Sequence, residues 1–264
     1  MILICPNPYR DEKLELSNKA ASLLDAAGYK TEIRPVFTGK KIGCLENVEL
    51  IIVVGGDGTL LSVAGEIHDS GIPVLGINLG TKGFMASLEA KDIGLIVKAA
   101  GGEYRTSERM MIDVWLNGEY RGAALNDAVI HGRGDCISLY VKCDETVIST
   151  ISGDGIILST PTGSTGYSMS AGGPIVEPEA KSIIVSPICA HSIGSRSFVL
   201  DSGRTVSVEI QRLHDKKAYL SIDGQDKDNL NVDDTLTVKK SECSIKIVDL
   251  GVKSFYETAF EKLS

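Results

Sequence analysis

Residues 50–61 constrain the fold of this chain more than any other stretch, and their sequence is LIIVVGGDGTLL. Five apolar residues in a row, four of them β-branched, are typical of a strand that is buried on both faces of a sheet. Three glycines follow within four residues, with Asp57 among them, and after Thr59 the apolar spacing becomes helical. The stretch therefore predicts a strand, a glycine turn and a helix N-terminus, an arrangement that binds anions.

Asp57 is unexpected in such a turn because a carboxylate repels a phosphate. Two functional explanations are open: Asp57 takes a proton from an attacking hydroxyl, or it helps to hold a cation that bridges phosphates. A structural explanation is that Asp57 only caps the helix that begins near Thr59. This stretch alone does not choose between them.

The composition is that of an ordinary globular protein, with 43% hydrophobic and 23% charged residues among 264. The net charge is −8 and the basic residues form no dense cluster, which disfavours nucleic acid and anionic membranes as partners. The first apolar run is too short for a signal peptide or a membrane-spanning helix. Six cysteines and four histidines show no zinc-binding spacing, so we expect reduced thiols, a cytoplasmic location and no metal held by the protein alone.

The first hundred residues alternate between strand and helix patterns. This alternation predicts an α/β domain with a parallel sheet, in which ligands bind beyond the carboxyl ends of the strands. Two glycine turns, at 55–58 and 80–83, lie at such ends. Predicted strands cover 2–5, 31–34, 50–54 and 71–78, and predicted helices cover 11–27, the segment after Thr59, and 92–100.

Past residue 103 the pattern becomes mostly β. An Asn117-Gly118 turn between two strand patterns, 110–116 and 120–131, is a strong hairpin signal. We expect an all-β, sandwich-like and mostly antiparallel domain over 103–252 and the α/β domain over 1–102. Residues 254–263 return to helical spacing, and we expect 253–264 to pack back on the first domain. Further strand patterns cover 138–142, 146–151, 155–160, 182–187, 205–210, 218–223, 235–239 and 244–249, with a short helix after Gly163.

Asn126 and Asp127 stand inside an otherwise apolar strand pattern. Because an unpaired buried charge is costly, both side chains need partners, and a sugar diol or an adenine edge would suit them. The structural alternative is that they bracket the local backbone.

Residues 159–174 contain seven hydroxylic residues among four glycines, with Tyr167 between them. Such a segment offers many small donors, close backbone approach and a ring that can stack on a base. A flexible linker is the alternative, which the flanking strand patterns disfavour. Asp154, the segment from His191 to Arg196 and the segment 222–225 add polar groups at strand ends, where Arg196 would face a phosphate or form a surface ion pair.

Taken in order, these stretches resemble the NAD kinases. The resemblance rests on residues 55–59, on Asn78-Leu79-Gly80 with Gly83-Phe84, on Asn126-Asp127 and on 160–174. The Gly-Gly-Asp-Gly sequence is shared with lipid kinases and phosphofructokinases, whereas the Gly-Ser-Thr-Gly-Tyr sequence is far more specific. Gly166 stands where relatives often carry Ala.

The resemblance implies a homo-oligomer, a dimer or tetramer, that phosphorylates the 2′-hydroxyl of the adenosine ribose of NAD, using ATP and a divalent cation such as Mg²⁺. It implies that Asp57 orients and deprotonates this hydroxyl, with the metal near it. The nucleotide-binding residues that it implies are Gly55, Gly56, Gly58, Thr59, Asn78, Gly80, Phe84, Asn126, Asp127, Thr165, Tyr167 and Ser170. The polar groups at strand ends add Asp154, Arg196, Asp223 and Gln225 to the expected nucleotide-binding residues, although Asp223 and Gln225 lie in a segment that varies in the family.

Two other functions remain open at this stage. A different Gly-Gly-Asp-Gly kinase would act on a lipid or a sugar, although the polar segment 159–170 does not suit a lipid channel. A dinucleotide-binding oxidoreductase or a non-catalytic sensor would have no use for Asp57. The chain also lacks a G-x-G-x-x-G sequence after a strand with an acidic residue about 20 positions later.

Overall fold

The computed structural model describes residues 1–37, 41–80, 83–132, 134, 136–192, 194–213 and 217–263. The chain forms two compact units, Met1–Arg109 with Ser244–Ser264, and Met110–Cys243. Residues 81 and 82 of the predicted second glycine turn lie outside the described residues. Among the described residues, no helix is both long and apolar enough to cross a bilayer.

Five α-helices and seventeen strands are described in the chain, together with three short 3-10 turns. The elements up to residue 100 are β1 (Ile2–Pro6), α1 (Glu15–Ala26), β2 (Thr31–Ile33), β3 (Leu50–Gly55), α2 (Asp57–Ile67), β4 (Val74–Asn78), β5 (Leu88–Glu89) and α3 (Ile96–Ala100), with 3-10 turns at Glu12–Leu14 and Ala90–Leu95. The following elements are β6 (Arg105–Leu116), β7 (Glu119–Ala124), β8 (Asp127–Gly132), β9 (Ile137–Cys143), β10 (Thr146–Gly153), β11 (Gly155–Ser159), a 3-10 turn at Gly163–Thr165 and α4 (Tyr167–Ser170). The last are β12 (Ser182–Ile188), β13 (Phe198–Asp201), β14 (Val206–Leu213), β15 (Ala218–Ile222), β16 (Gln225–Leu230), β17 (Thr235–Asp249) and α5 (Phe255–Leu263).

The first unit contains a parallel sheet in the order β4-β3-β1-β2, and the end of β17 pairs in parallel with β4. All six residues of β3 are buried, as expected for a strand covered on both faces. Apolar side chains of β1, β3 and β4 pack with those of α1 and α3 in one core. The predicted α/β domain is confirmed.

The C-terminal helix α5 belongs to this first unit, as predicted. The ring of Phe255 packs 6.2 Å from the ring of Phe84, centroid to centroid. Ser254 and Glu257 form a capping box at the start of the helix, in which the Ser254 N–H donates to Glu257 Oε2 at 2.7 Å and the Glu257 N–H donates to Ser254 Oγ at 3.2 Å.

The second unit is built from antiparallel strands. One group runs β10-β9-β14 and continues to the first residues of β17, and the other runs β13-β12-β11-β8-β15-β16. Apolar side chains from both groups share one core, which confirms the sandwich-like all-β prediction. The β6–β7 hairpin turns at Asn117 and Gly118, whose φ angles of 52° and 82° suit a type I′ turn.

Three element boundaries differ from the sequence prediction. The predicted strand 120–131 is two strands, because the N–H groups of Leu125 and Asn126 donate to the Asp223 carboxylate between β7 and β8. The patterns at 235–239 and 244–249 form the single strand β17. Helix α2 begins at Asp57, two positions before the predicted start at Thr59, and its N-cap is Gly56.

Candidate functional site

A cavity of about 460 Å³ opens in the first unit at the carboxyl ends of the parallel strands. The loop after β1, the first turn of α2 and the end of α5 supply most of its wall. Its lining residues are Asn7, Tyr9, Arg10, Val36, Gly56, Asp57, Gly58, Thr59, Ser62, Gly83 and Lys262.

The N-terminus of α2 forms one wall of this cavity. Within the helix, the first acceptor is Gly56 O, to which the N–H groups of Thr59 and Leu60 donate at 2.9 and 3.2 Å. The N–H groups before them have no intrahelical acceptor, as at every helix start, and the helix dipole makes this end partially positive. The glycine turn therefore presents donors to an anion in the cavity.

The Asp57 carboxylate connects the two glycine turns. Its Oδ2 accepts the N–H of Phe84 at 2.7 Å, and its Oδ1 accepts the N–H of Met85 at 3.2 Å. A Cβ atom at Gly83 would overlap Asp57 Oδ1, so the close approach requires glycine. Asp57 thus stands at the first position of α2 without capping it, and the capping explanation is wrong. Each carboxylate oxygen still has a second lone pair for a further donor.

The loop after β1 adds two residues that the sequence did not single out. Asn7 Nδ2 donates to Thr59 Oγ1 at 3.2 Å, and Arg10 Nη1 donates to Leu79 O at 3.0 Å. Arg10 lies beside both glycine turns, because a Cβ built at Gly56 or Gly80 would be 3.2 or 3.1 Å from its Nη1. The sequence contains one indication of their role: the loop follows β1, which pairs in parallel with β3, so it lies at the same edge of the sheet as the first glycine turn.

Asn78 ends β4 next to Gly55, and the Leu79 N–H donates to Gly55 O at 2.7 Å. The Asn78 Oδ1 atom is buried and accepts no hydrogen bond within the described part of the chain. A buried amide oxygen without a donor is uncommon in a folded protein, and a ligand donor would satisfy it.

Lys262 of α5 also lines the cavity and was missed by the sequence analysis. Its Nζ lies 4.0 Å from the centroid of the Phe84 ring, a cation–π distance. Burial lowers the pKa of Lys262, and the nearby charge of Asp57 acts in the opposite direction. The described lining of the cavity thus combines a carboxylate, two cations and a helix N-terminus.

In the second unit, the Asp223 carboxylate binds three successive backbone N–H groups. Asp223 Oδ2 accepts from Leu125 at 2.8 Å, and Asp223 Oδ1 accepts from Asn126 at 2.7 Å and from Asp127 at 3.1 Å. The Asp223 N–H returns a hydrogen bond to Asp127 O at 2.9 Å. Asp223 therefore fixes the backbone of the Asn126-Asp127 pair, and its predicted contact with a nucleotide stays a prediction.

The hydroxyl-rich segment packs on the same pair. The Thr160 N–H donates to Asn126 O at 2.8 Å, and a Cβ atom at Gly163 would overlap that carbonyl oxygen. Three buried side-chain oxygens of this region have no hydrogen-bond partner among the described residues: Asn126 Oδ1, Ser159 Oγ and Thr162 Oγ1. Unpaired buried polar atoms in one place indicate a site for a polar ligand.

Asp127 is a buried carboxyl group at the start of β8. Burial, and secondly the charge of Asp223, raise its pKa to about 7. Burial also raises the pKa of Tyr167, followed by the charges of Tyr219, Cys189, Asp154 and Asp127. Tyr167, Asp154 and Asp127 therefore lie in one neighbourhood, with the Tyr167 side chain 41% exposed.

Other predicted site residues have more local contacts. Thr165 Oγ1 donates to Thr162 O at 3.3 Å, and Ser170 is exposed at the end of α4. Arg196 Nη1 donates to Ser195 O at 2.8 Å, and Gln225 Oε1 accepts from Lys227 Nζ at 3.4 Å. The side chains of Arg196 and Gln225 are exposed. Their roles toward a ligand stay predictions.

The described residues contain no group of three or more His, Cys, Asp or Glu side chains that could hold a metal ion. Asp57 is the one carboxylate among the lining residues that the structure describes. A divalent cation at this site would therefore take most of its oxygen ligands from a bound phosphate chain and from water, as Mg²⁺ commonly does.

The sequence matches two family descriptions. Residues 9–100 match the ATP-NAD kinase N-terminal domain, and residues 125–250 match the ATP-NAD kinase C-terminal domain. The NAD kinase of Lachnoclostridium phytofermentans is 36% identical over 271 residues, which cover 96% of this chain and 95% of that protein. The NAD kinase of Methanosarcina acetivorans is 35% identical over 258 residues, covering 97% of this chain and 90% of that protein.

Two solved structures share the fold. Yeast NADH kinase complexed with NADH superposes with a TM-score of 0.88 at 22% identity, covering 99% of this chain and 86% of that one. An NAD kinase from Archaeoglobus fulgidus in complex with ATP superposes with a TM-score of 0.81 at 26% identity, covering 100% of this chain and 98% of that one.

Proposed function

The chain belongs to the NAD kinase family, and on this premise we propose that it transfers the γ-phosphoryl group of ATP to the 2′-hydroxyl of the adenosine ribose of NAD, making NADP. The observation that carries the proposal is the cavity in which the N-terminus of α2 and the Asp57 carboxylate stand side by side. The first suits a phosphate chain, and the second suits an attacking hydroxyl.

Asp57 orients the 2′-hydroxyl and accepts its proton as the hydroxyl oxygen attacks phosphorus. Its hydrogen bonds to the N–H groups of Phe84 and Met85 fix the direction of the carboxylate. Phosphoryl transfer has a loose transition state, so positioning and charge neutralisation supply most of the acceleration. The proton acceptor contributes roughly 10²–10⁴-fold.

The phosphates of ATP bind at the glycine turn formed by Gly55, Gly56 and Gly58, with Thr59 in the next position. Support for this position comes from the N–H groups at the start of α2 that have no intrahelical acceptor. The Archaeoglobus fulgidus relative, which was solved in complex with ATP, supports ATP as the phosphoryl donor. Asn78, Gly80 and Phe84 complete this part of the site from the second glycine turn.

NAD is held by residues of the second unit. Asn126 and Asp127 bind its ribose or adenine groups, which is supported by the unpaired Asn126 Oδ1 and by the rigid backbone around it. Thr165, Tyr167 and Ser170 surround the NAD bound to this unit, with further polar contacts from Asp154, Arg196 and Gln225.

A divalent cation, Mg²⁺ or another, accompanies ATP. The residues fit this arrangement because Asp57 can offer one oxygen ligand while the phosphates offer the others. When bound, the cation neutralises charge on the phosphate chain. Asp57 would then both orient the hydroxyl and offer an oxygen to the cation, and its hydrogen bonds to the N–H groups of Phe84 and Met85 hold the carboxylate in position.

We propose further that the enzyme is a cytoplasmic homo-oligomer, a dimer or tetramer. All six cysteines are described and none forms a disulfide, which suits a reducing compartment. The oligomer rests on the family resemblance, and Tyr256 and Phe260 of α5, which are 64% and 75% exposed, are apolar side chains that an interface could cover. Light scattering of the purified protein measures the assembly directly.

The activity is tested by incubating the purified protein with NAD, ATP and Mg²⁺ and measuring NADP with an NADP-specific dehydrogenase. We expect NADP to form in proportion to ADP. An NAD analogue without the adenosine 2′-hydroxyl is the matched control and should give neither product. If ATP is consumed while no NADP forms, a different kinase activity replaces the proposal. If no ATP is consumed and NAD still binds, the protein is a sensor.

A further inference from the structure

The C-terminal helix α5 reaches the cavity at the ring of Phe84. None of its residues is buried, and the start of the helix is held by the Ser254–Glu257 capping box. Toward the cavity, Phe255 and Lys262 both contact the ring of Phe84. Two residues of the helix thus contact a residue whose N–H is bonded to Asp57.

Lys262 lies at the cavity end of this helix. Its ammonium group is 4.0 Å from the Phe84 ring centroid, and it lines the same cavity as Asp57 and Gly83. A lysine ammonium on a flexible stem can move from a ring face to an anion at low cost, because it is a compact charge with three donors.

The charges around the cavity favour a cation beside a bound phosphate chain. The chain carries a net charge of −8, and Asp57 adds a carboxylate at the place where a phosphate chain would bind. The second cation of the wall, Arg10, donates to Leu79 O and so lies beside the two glycine turns. Lys262 approaches from α5, beside Gly83 and the Phe84 ring, where the Asp57 carboxylate is bonded.

We propose that Lys262 binds the terminal phosphate of ATP beside Asp57, so that α5 completes the phosphate site of the first unit. The inference rests on the proposed kinase function and adds a residue from the end of the chain to it. If Asp57 orients the attacking hydroxyl, the phosphoryl group that moves lies next to Asp57. Lys262 then neutralises the charge that this group carries during transfer.

The test compares ATP with ADP on the same protein sample. Wild type and Lys262→Met are titrated with ATP and with ADP, in the presence of Mg²⁺, by calorimetry. A charge-assisted contact to one phosphate group is worth about 10- to 100-fold in affinity. We expect Lys262→Met to lose this factor for ATP and to bind ADP almost as wild type does. In turnover assays the variant should also lose kcat, with little change in the KM for NAD.

Lys253→Met is the matched control. Lys253 lies just before α5 and pairs with Glu261, so its replacement removes the same charge from the same segment but not from the cavity wall. It should keep the wild-type ratio of ATP to ADP affinity. Lys262→Arg retains a cation and should recover most of that ratio.

A purely structural role for Lys262 predicts a different result. If the lysine only attaches α5 to Phe84, Lys262→Met weakens ATP and ADP equally, or lowers the melting temperature alone. Either outcome overturns the proposal, and the affinity ratio remains interpretable in a less stable variant because both ligands are measured on one sample. If wild type forms no NADP, the kinase proposal itself fails. If wild type forms NADP and the ratio is unchanged in Lys262→Met, only the role of Lys262 fails.

Discussion

Replacing Gly83 with alanine tests whether the Asp57 carboxylate holds the segment after the second glycine turn. A Cβ atom at this position would overlap Asp57 Oδ1, so the carboxylate or the segment must move. The movement breaks or weakens the hydrogen bonds from the N–H groups of Phe84 and Met85. Hydrogen bonds to a charged group contribute about 1.5–3 kcal/mol each.

The net effect of Gly83→Ala is smaller than the sum of both bonds. Water in the open cavity can replace part of what is lost, and alanine reduces the entropy of the unfolded chain by about 0.4–1 kcal/mol. We therefore expect the free energy of unfolding to fall by about 1–3 kcal/mol, close to the value of one charged hydrogen bond. Turnover should fall as well, because Asp57 loses its orientation.

Urea unfolding followed by circular dichroism measures this change as a lower midpoint at constant slope. Gly65→Ala in α2 is the matched control, because a Cβ there has no atom within 4 Å and alanine is the better helix former. It should stabilise the protein by about 0.5–1 kcal/mol and leave turnover intact. A Gly83→Ala protein as stable as Gly65→Ala would refute the contact between Asp57 and this segment.

Asp57→Asn should bind NAD almost normally and lose roughly 10²–10⁴-fold in turnover, and unchanged turnover would count against its role. The pKa of Asp127 is raised from 3.8 to about 7 by burial, so the folded state holds this proton more tightly. As the pH rises from about 4 to about 7, the free energy of unfolding of wild type should therefore fall relative to that of Asp127→Asn. Parallel pH curves for the two proteins would contradict this. Asp223→Asn presents an amide donor toward the Leu125 N–H, which should destabilise the fold by about 1–3 kcal/mol. It should also raise the KM for NAD more than that for ATP, whereas equal changes would argue against its positioning role.

Local patterns were sufficient for most of the fold. The buried strand and glycine turn at 50–58, the alternation before residue 100 and the Asn117-Gly118 turn depend on neighbouring residues only, and the structure confirms all three. The break between β7 and β8 could not be predicted, because it depends on Asp223, almost a hundred residues away. The apolar pattern of one strand does not indicate that a distant carboxylate accepts hydrogen bonds from its backbone N–H groups.

The parts of the candidate site that are contiguous in the sequence could be predicted, and the parts that come from distant segments could not. The glycine turn and Asp57 are visible in the sequence because they are contiguous. Arg10 and Lys262 reach the cavity from opposite ends of the chain, through a loop and a helix whose sequences carry no phosphate-binding pattern. The hydrogen bonds of Asp223 could not be predicted either, since its carboxylate accepts N–H groups from residues almost a hundred positions earlier in the chain.

The composition of the first unit has a consequence for synthesis on the ribosome. Ile247 of β17 pairs with Val74, and the residues from Ser244 onward belong with the unit that the first 109 residues begin. The nascent α/β unit therefore stays incomplete, with one sheet position unfilled, until residues 244–249 have been translated. The all-β unit, encoded in the middle of the message, has all its strands earlier. Synthesis order and completion order are thus reversed, and a product released early would lack the helix that carries Lys262.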